Sequence, residues 1–306
     1  MFYTHAVIRG IEVVAKFPWK IGIVTFMIFP ELLKSDVGAG DKIKTLLEDP
    51  FFEVFEVAPM RDEEWSKIAH AVKEKEFALA LQPEILVRGR NPSSVNEEER
   101  KAVVASFIEE IKRASVRGMR AVALCTGPNV AGPEREKAIE ALIKTLGELA
   151  EEAGKYGMNV YLETFDQIWD KKRLLGPLSE AVKVIEKVRE THKNVYILWD
   201  LSHAPLLNED PEVLKSYPDY IGHIHIGCAK KVGDKLYDWH PGFHRPGALN
   251  TEKEVAKLLE VLHDIKYRGA VSFEIKPEQD QEPLEVLHAA KSVLIRAYQL
   301  FLESKL

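Results

Sequence analysis

The chain predicts a single-domain α/β fold, a (β/α)8 TIM barrel, and three observations carry that prediction. Eight short apolar runs recur along its 306 residues. Amphipathic stretches at helical spacing separate them. No G-x-G-x-x-G follows the first run, which removes the main signal for the competing open doubly wound sheet.

The runs are IGIVTF (21–26), EVFEVAP (53–59), FALALQP (77–83), AVALCTG (121–127), VYLETF (160–165), VYILWD (195–200), IGHIHIG (221–227) and AVSFEI (270–275). Most are nearly continuous in apolar residues, as parallel strands covered on both faces require. Between them, 97–117 carries Val104, Phe107, Ile108 and Ile111 on one face. Stretch 134–156 carries Ile139, Leu142, Ile143, Leu146, Leu149, Ala150 and Ala153, and 251–266 carries Val255, Leu258, Leu259, Leu262 and Ile265. Gly118, Gly157 and Gly269 follow these faces as stops. Alternation of strand and helix without an interdomain linker predicts one barrel domain over 1–306.

Two segments depart from the alternation. Residues 1–20 form an extension ahead of the first strand, expected as a helix closing the barrel bottom. The stretch 228–250, CAKKVGDKLYDWHPGFHRPGALN, is too long for a turn and follows the seventh strand. Long loops on that rim usually carry function.

Composition narrows the class. Net charge is -6 and no basic block stands out, which disfavours nucleic acid held through charge alone. Two cysteines, Cys125 and Cys228, make no disulfide framework and point to a reducing, cytoplasmic setting. Nothing in the first twenty residues resembles a signal peptide, and no apolar run reaches ~18 residues, so no membrane span is expected.

The chemistry lies in the last four strands. VYLETFD, YILWDLSH, GHIHIG and VSFEIKP each end in a metal-loving side chain: Glu163, Asp200, His225 and Glu274. Each has an ordinary reading alone. A strand-end glutamate is usually an ion-pair partner, and HIH would place one histidine in the core and one against the helices. Together, an acid or imidazole in four apolar runs at the same phase needs a shared reason. Three carboxylates and one imidazole make a hard site suited to Mn2+, Mg2+, Co2+ or Zn2+ with positions left for substrate.

The run LETFD, then LWDLSHAPL, then HIHIG, then a glutamate on the last strand resembles the xylose-isomerase-like sugar isomerase/epimerase superfamily. Within it the ketose 3-epimerases are the nearest type and endonuclease IV a distant one. The resemblance implies one divalent metal, Mn2+ first, on Glu163, Asp200, His225 and Glu274. It implies that Glu163 and Glu274 also serve as acid and base around a metal-stabilised enediolate of a sugar or sugar acid, in carbohydrate metabolism. It implies a small-molecule substrate and a homo-oligomer, dimer or tetramer. His203, from D-x-x-H, is expected to contact substrate or a further metal. Lys231 stands where the epimerases carry an arginine, and Lys lacks its bidentate fork. Asp238 and His240 echo the endonuclease D-x-H, which implies a further metal on His203, Asp238 and His240, or else substrate contact at the rim; the early strand ends Pro59, Gln82 and Cys125 offer no histidine. The alternative is an endonuclease IV-like phosphodiesterase acting on abasic DNA.

Further candidates for substrate contact are Arg245 and His244 in the long loop, and Lys276, which shares a strand face with Glu274. Trp169 and Trp239 are candidates to cover a sugar ring. His5, His70, His192, His263 and His288 are expected on the surface.

Overall fold

The computed structural model describes residues 2–305. All eight expected runs form strands: Lys20–Val24, Val54–Val57, Glu76–Ala80, Ala121–Cys125, Asn159–Glu163, Val195–Asp200, Ile221–Ile226 and Ala270–Phe273. Each pairs parallel with the next, and the eighth closes on the first, with Val271 opposite Ile21. The result is one closed barrel of eight parallel strands with helices outside, a TIM barrel in a single domain.

The strands are shorter than the apolar runs at their C-terminal ends. Thr25 and Phe26 already belong to a helical turn, Thr25–Ile28. Gln82 and Pro83 open a short helix, Gln82–Leu86. Proline has no N–H for a sheet ladder and suits the first turn of a helix. Both changes bring apolar side chains over the barrel mouth.

The three long outer helices fall where their spacing places them, at Glu97–Val116, Pro133–Gly154 and Glu252–Asp264. Leu142, Leu146, Leu149, Ala150 and Ala153 face the core as expected. Gly118 and Gly157 take positive φ and stop the first two. Gly269 does not; Lys266 adopts the left-handed turn after the third. A capping box of Thr251 and Glu254 starts that helix.

The first residues are not a helix. Tyr3–Ile8 and Ile11–Lys16 form an antiparallel hairpin around Arg9 and Gly10, both at positive φ. Its β-branched residues, Val7, Ile8, Ile11, Val13 and Val14, favour a strand. The hairpin leads into the N-terminal end of the first barrel strand. Phe17 there is buried against Phe2, Trp19 and Tyr298. The Tyr298 hydroxyl donates to the Lys16 carbonyl at 2.7 Å. The long segment after the seventh strand is also ordered: Lys230–Val232 pairs antiparallel with Lys235–Tyr237. Among the described residues, no helix is long and apolar enough to cross a membrane.

Candidate metal centre and substrate pocket

The fifth, sixth and seventh strands bring Glu163, Asp200 and His225 to the C-terminal mouth, and Glu274 follows the last residue of the eighth. One ligand atom from each of the four lies within 4.8 Å of the others. All four side chains are buried. His225 turns Nδ1 toward the group, 2.7 Å from Glu274 Oε2 and 3.7 Å from Glu163 Oε1.

Glu163 is held from one side only. Gln82 Nε2 donates to its Oε2 at 2.8 Å, while Oε1 is buried with no hydrogen-bond partner. A buried carboxylate oxygen left alone is costly. This one faces an imidazole and two more carboxylates, an arrangement a cation would compensate. The donor set therefore fits a hard divalent ion with room for further ligands.

The electrostatics divide the two glutamates. Burial, with the Glu274 charge behind it, pushes the Glu163 carboxyl up to about 8. Burial also presses Glu274 upward, but the facing His240 and His225 outweigh it and hold that carboxyl at about 2. Burial and the Glu274 charge raise Asp200 against the opposing His203.

Behind His225 lies a residue that the strand-end pattern missed. Glu56, on the second strand, is buried and accepts from His225 Nε2 at 2.9 Å and from His223 Nε2 at 2.8 Å. Burial opposes its charge, yet His225 and His223 hold it well below the usual carboxylate range. Both histidines of HIH therefore point inward, correcting the reading that split them. Residues i and i+2 of a strand share a face. Tyr161 stacks on His223 at 5.5 Å. Glu56 had the same signal as the other four, an acid inside the apolar run VFEV.

A second group adjoins the first. His203 donates from Nδ1 to the Thr164 carbonyl at 2.7 Å and faces Asp238 Oδ1 with Nε2 at 3.1 Å. His240 Nε2 lies 2.6 Å from the same Asp238 oxygen. Burial works against the His240 charge, but Asp238 and Glu274 overcome it and raise the group to about 9. Asp200, His203 and His240 also offer ligand atoms close enough to hold an ion. His240 sits at φ 50, and Lys276 N–H fixes it by donating to its carbonyl at 2.7 Å. Ser202, unread in the sequence, bonds Asp200 and His240. Lys171, also unread, reaches the Asp238 carbonyl at 2.9 Å and Asp170 at 2.8 Å.

These groups open into a cavity of about 350 Å³ that Lys276, Asp238, Trp239 and His240 help to line. That size falls in the usual range for small-molecule sites. Lys276 has no ion-pair partner among the described residues. Lys231 is exposed on the small hairpin and does not line the cavity. Arg245 also lies outside it, bound to Glu278 at 2.6 Å and Asp280 at 2.7 Å. His244 is exposed beside Glu252, and Trp169 is outside the cavity lining.

Residues 47–295 match the family described as the xylose isomerase-like TIM barrel. The chain belongs to that family. Comparison with the curated proteins finds no match. Among solved structures, a D-tagatose 3-epimerase-like protein is 20% identical with a TM-score of 0.71, over 94% of this chain and 100% of its own. The IolI protein with a bound zinc atom is 15% identical with a TM-score of 0.68, over 92% and 99%. An AP endonuclease, family 2, from Brucella melitensis is 18% identical with a TM-score of 0.66, over 90% and 99%. At these identities the likeness is one of fold.

Proposed function

We propose that this chain is a divalent-metal-dependent isomerase or epimerase of a sugar or sugar acid. One observation carries the reading: Glu163 and Glu274 bring carboxylates to a single buried cluster, and Glu274 and His225 of that cluster line the adjoining cavity. Glu163, Asp200, His225 and Glu274 would hold the ion, with Mn2+ the first choice for this oxygen-rich set. The ion supplies Lewis acidity toward a substrate carbonyl and its neighbouring hydroxyl.

The protein's own groups do the rest. One of the two carboxylates removes the proton from the carbon beside the carbonyl, and the other returns a proton. Return to the opposite face of that carbon is epimerisation; delivery to the adjacent carbon is isomerisation. Gln82 donates to Glu163 Oε2 and so orients the carboxylate that moves the proton, with Oε1 turned to the cluster. Asp238 and Lys276 border the same space and can orient substrate hydroxyls, and Trp239 screens it from solvent. The epimerase-like and zinc-bound neighbours support this reading. The test is incubation of the Mn2+-loaded protein with a panel of ketoses in D2O. Deuterium at a carbon next to the carbonyl is the expected result; no exchange and no product from any ketose would sink the proposal.

A second reading has one observation in its favour. Asp200, His203 and His240 form a further donor group that shares Asp200 with the first. Two adjacent ions suit phosphodiester cleavage, and abasic DNA is the substrate to try.

A further inference from the structure

The cavity has two unlike walls, and their placement bears on what the substrate looks like. In the closed strand order, the first strand lies across the barrel from the fifth and the third from the seventh. The segments after the fifth and seventh strands supply Asp170, Lys171, Asp238 and His240, with Phe165 and Trp239 between them, so this wall pairs aromatic faces with charged partners. Those after the first and third strands supply Phe26, Met27, Leu33, Leu86 and Val87. Gln82 and Glu56 are the polar side chains on that second side; Gln82 is spent on Glu163, and Glu56 on His223 and His225. Apolar side chains at an open rim are costly unless something apolar covers them; Val87 is 52% exposed. A hydroxyl laid against them would lose its water and gain no partner.

We infer that the substrate is an α-hydroxy ketone with an apolar far end, a deoxygenated or alkylated carbohydrate, and not one hydroxylated throughout. Its carbonyl end meets Glu163 and Glu274, and its tail lies on Met27, Leu33, Leu86 and Val87. The inference rests on the isomerase reading and deepens it by naming the substrate class.

The experiment compares D-fructose with 6-deoxy-D-fructose on the Mn2+-loaded protein, both as turnover followed by NMR and as binding followed by calorimetry. The deoxy compound is expected to win by about 10-fold or more in kcat/KM and in affinity. Leu86→Asn and Met27→Gln, at half-buried positions, should each narrow or reverse that ratio. Equal or better use of the fully hydroxylated ketose, or a ratio that neither substitution moves, overturns the inference and leaves the isomerase reading standing. If neither ketose is turned over, the ketose panel in D2O decides the isomerase reading, and the ratio of affinities still decides the matter of the apolar wall.

Discussion

Glu56 Oε2 lies 2.9 Å from His225 Nε2, on the side of the imidazole away from Glu163 and Glu274. The carboxylate accepts the Nε2 proton and so fixes the ring orientation. Nδ1 is then the nitrogen presented to the other three donors. A histidine that binds metal is commonly held in this way by a carboxylate behind it. Glu56→Gln should keep the barrel folded while lowering Mn2+ affinity about 10- to 100-fold. Glu56→Asp should recover part of the loss if its shorter chain still reaches Nε2. Calorimetric titration reads the affinity and circular dichroism the fold. Unchanged affinity in the glutamine variant would reduce Glu56 to a barrel-filling residue.

Glu163 and Glu274 are proposed both to hold the ion and to move protons, so their amides should separate the two roles. Glu163→Gln and Glu274→Gln each keep an oxygen donor but cannot exchange a proton. Turnover should fall about 100- to 10,000-fold in each. Metal content, read by elemental analysis, should fall only in part. Full activity in either variant removes the two-carboxylate mechanism.

The barrel was readable because its strands are buried on both faces. That burial imprints a continuous apolar run, and an acid within such a run stands out. Glu163, Asp200, His225 and Glu274 therefore share a phase that can be seen without coordinates. Glu56 carries the same mark, but its partner His225 lies 169 residues away. No local spacing reports a contact closed across the barrel axis. The N-terminal hairpin was missed because its strands are only six residues long and do not alternate cleanly: Thr4 is buried, while Val7, Ile11 and Val14 are exposed. Lys231 and Arg245 show the limit from the other side. The resemblance pointed Lys231 at substrate and the long loop pointed Arg245 there, but the small hairpin turns Lys231 outward, and Glu278 and Asp280 engage Arg245.

The hairpin should be part of the cooperative fold. Phe17 is 1% exposed and packs on Phe2, Trp19 and Tyr298. Phe17→Ala removes a buried ring from the junction of the hairpin, the first strand and the C-terminal helix Pro283–Lys305. The expected cost is about 3–5 kcal/mol by urea denaturation. A loss under about 1 kcal/mol would mean that the site collapses to fill the space, or that the hairpin docks independently of the barrel.

The metal-free protein should weaken as pH rises above neutrality, and bound metal should reverse the trend. His240 is raised in the folded state to about 9, against about 6.5 when unfolded. A raised group contributes stability that is complete below its unfolded value and is lost as pH climbs through the folded one. Glu163, raised to about 8, acts in the same direction between about 4.5 and that value. Glu274, held at about 2, keeps its contribution throughout this range and does not oppose the trend. Against their burial, Glu56 and Glu274 around His225, and Asp238 and Asp200 around His203, raise both groups well above the usual imidazole value. A divalent ion must displace the His225 proton to reach Nδ1, so its affinity should rise with pH and binding should release protons. Melting temperatures from pH 6.5 to 9.5, with chelator and with Mn2+, test both halves. A flat profile in chelator, together with no proton release in calorimetry across buffers of different ionisation enthalpy, would show that these histidines are already neutral before metal arrives.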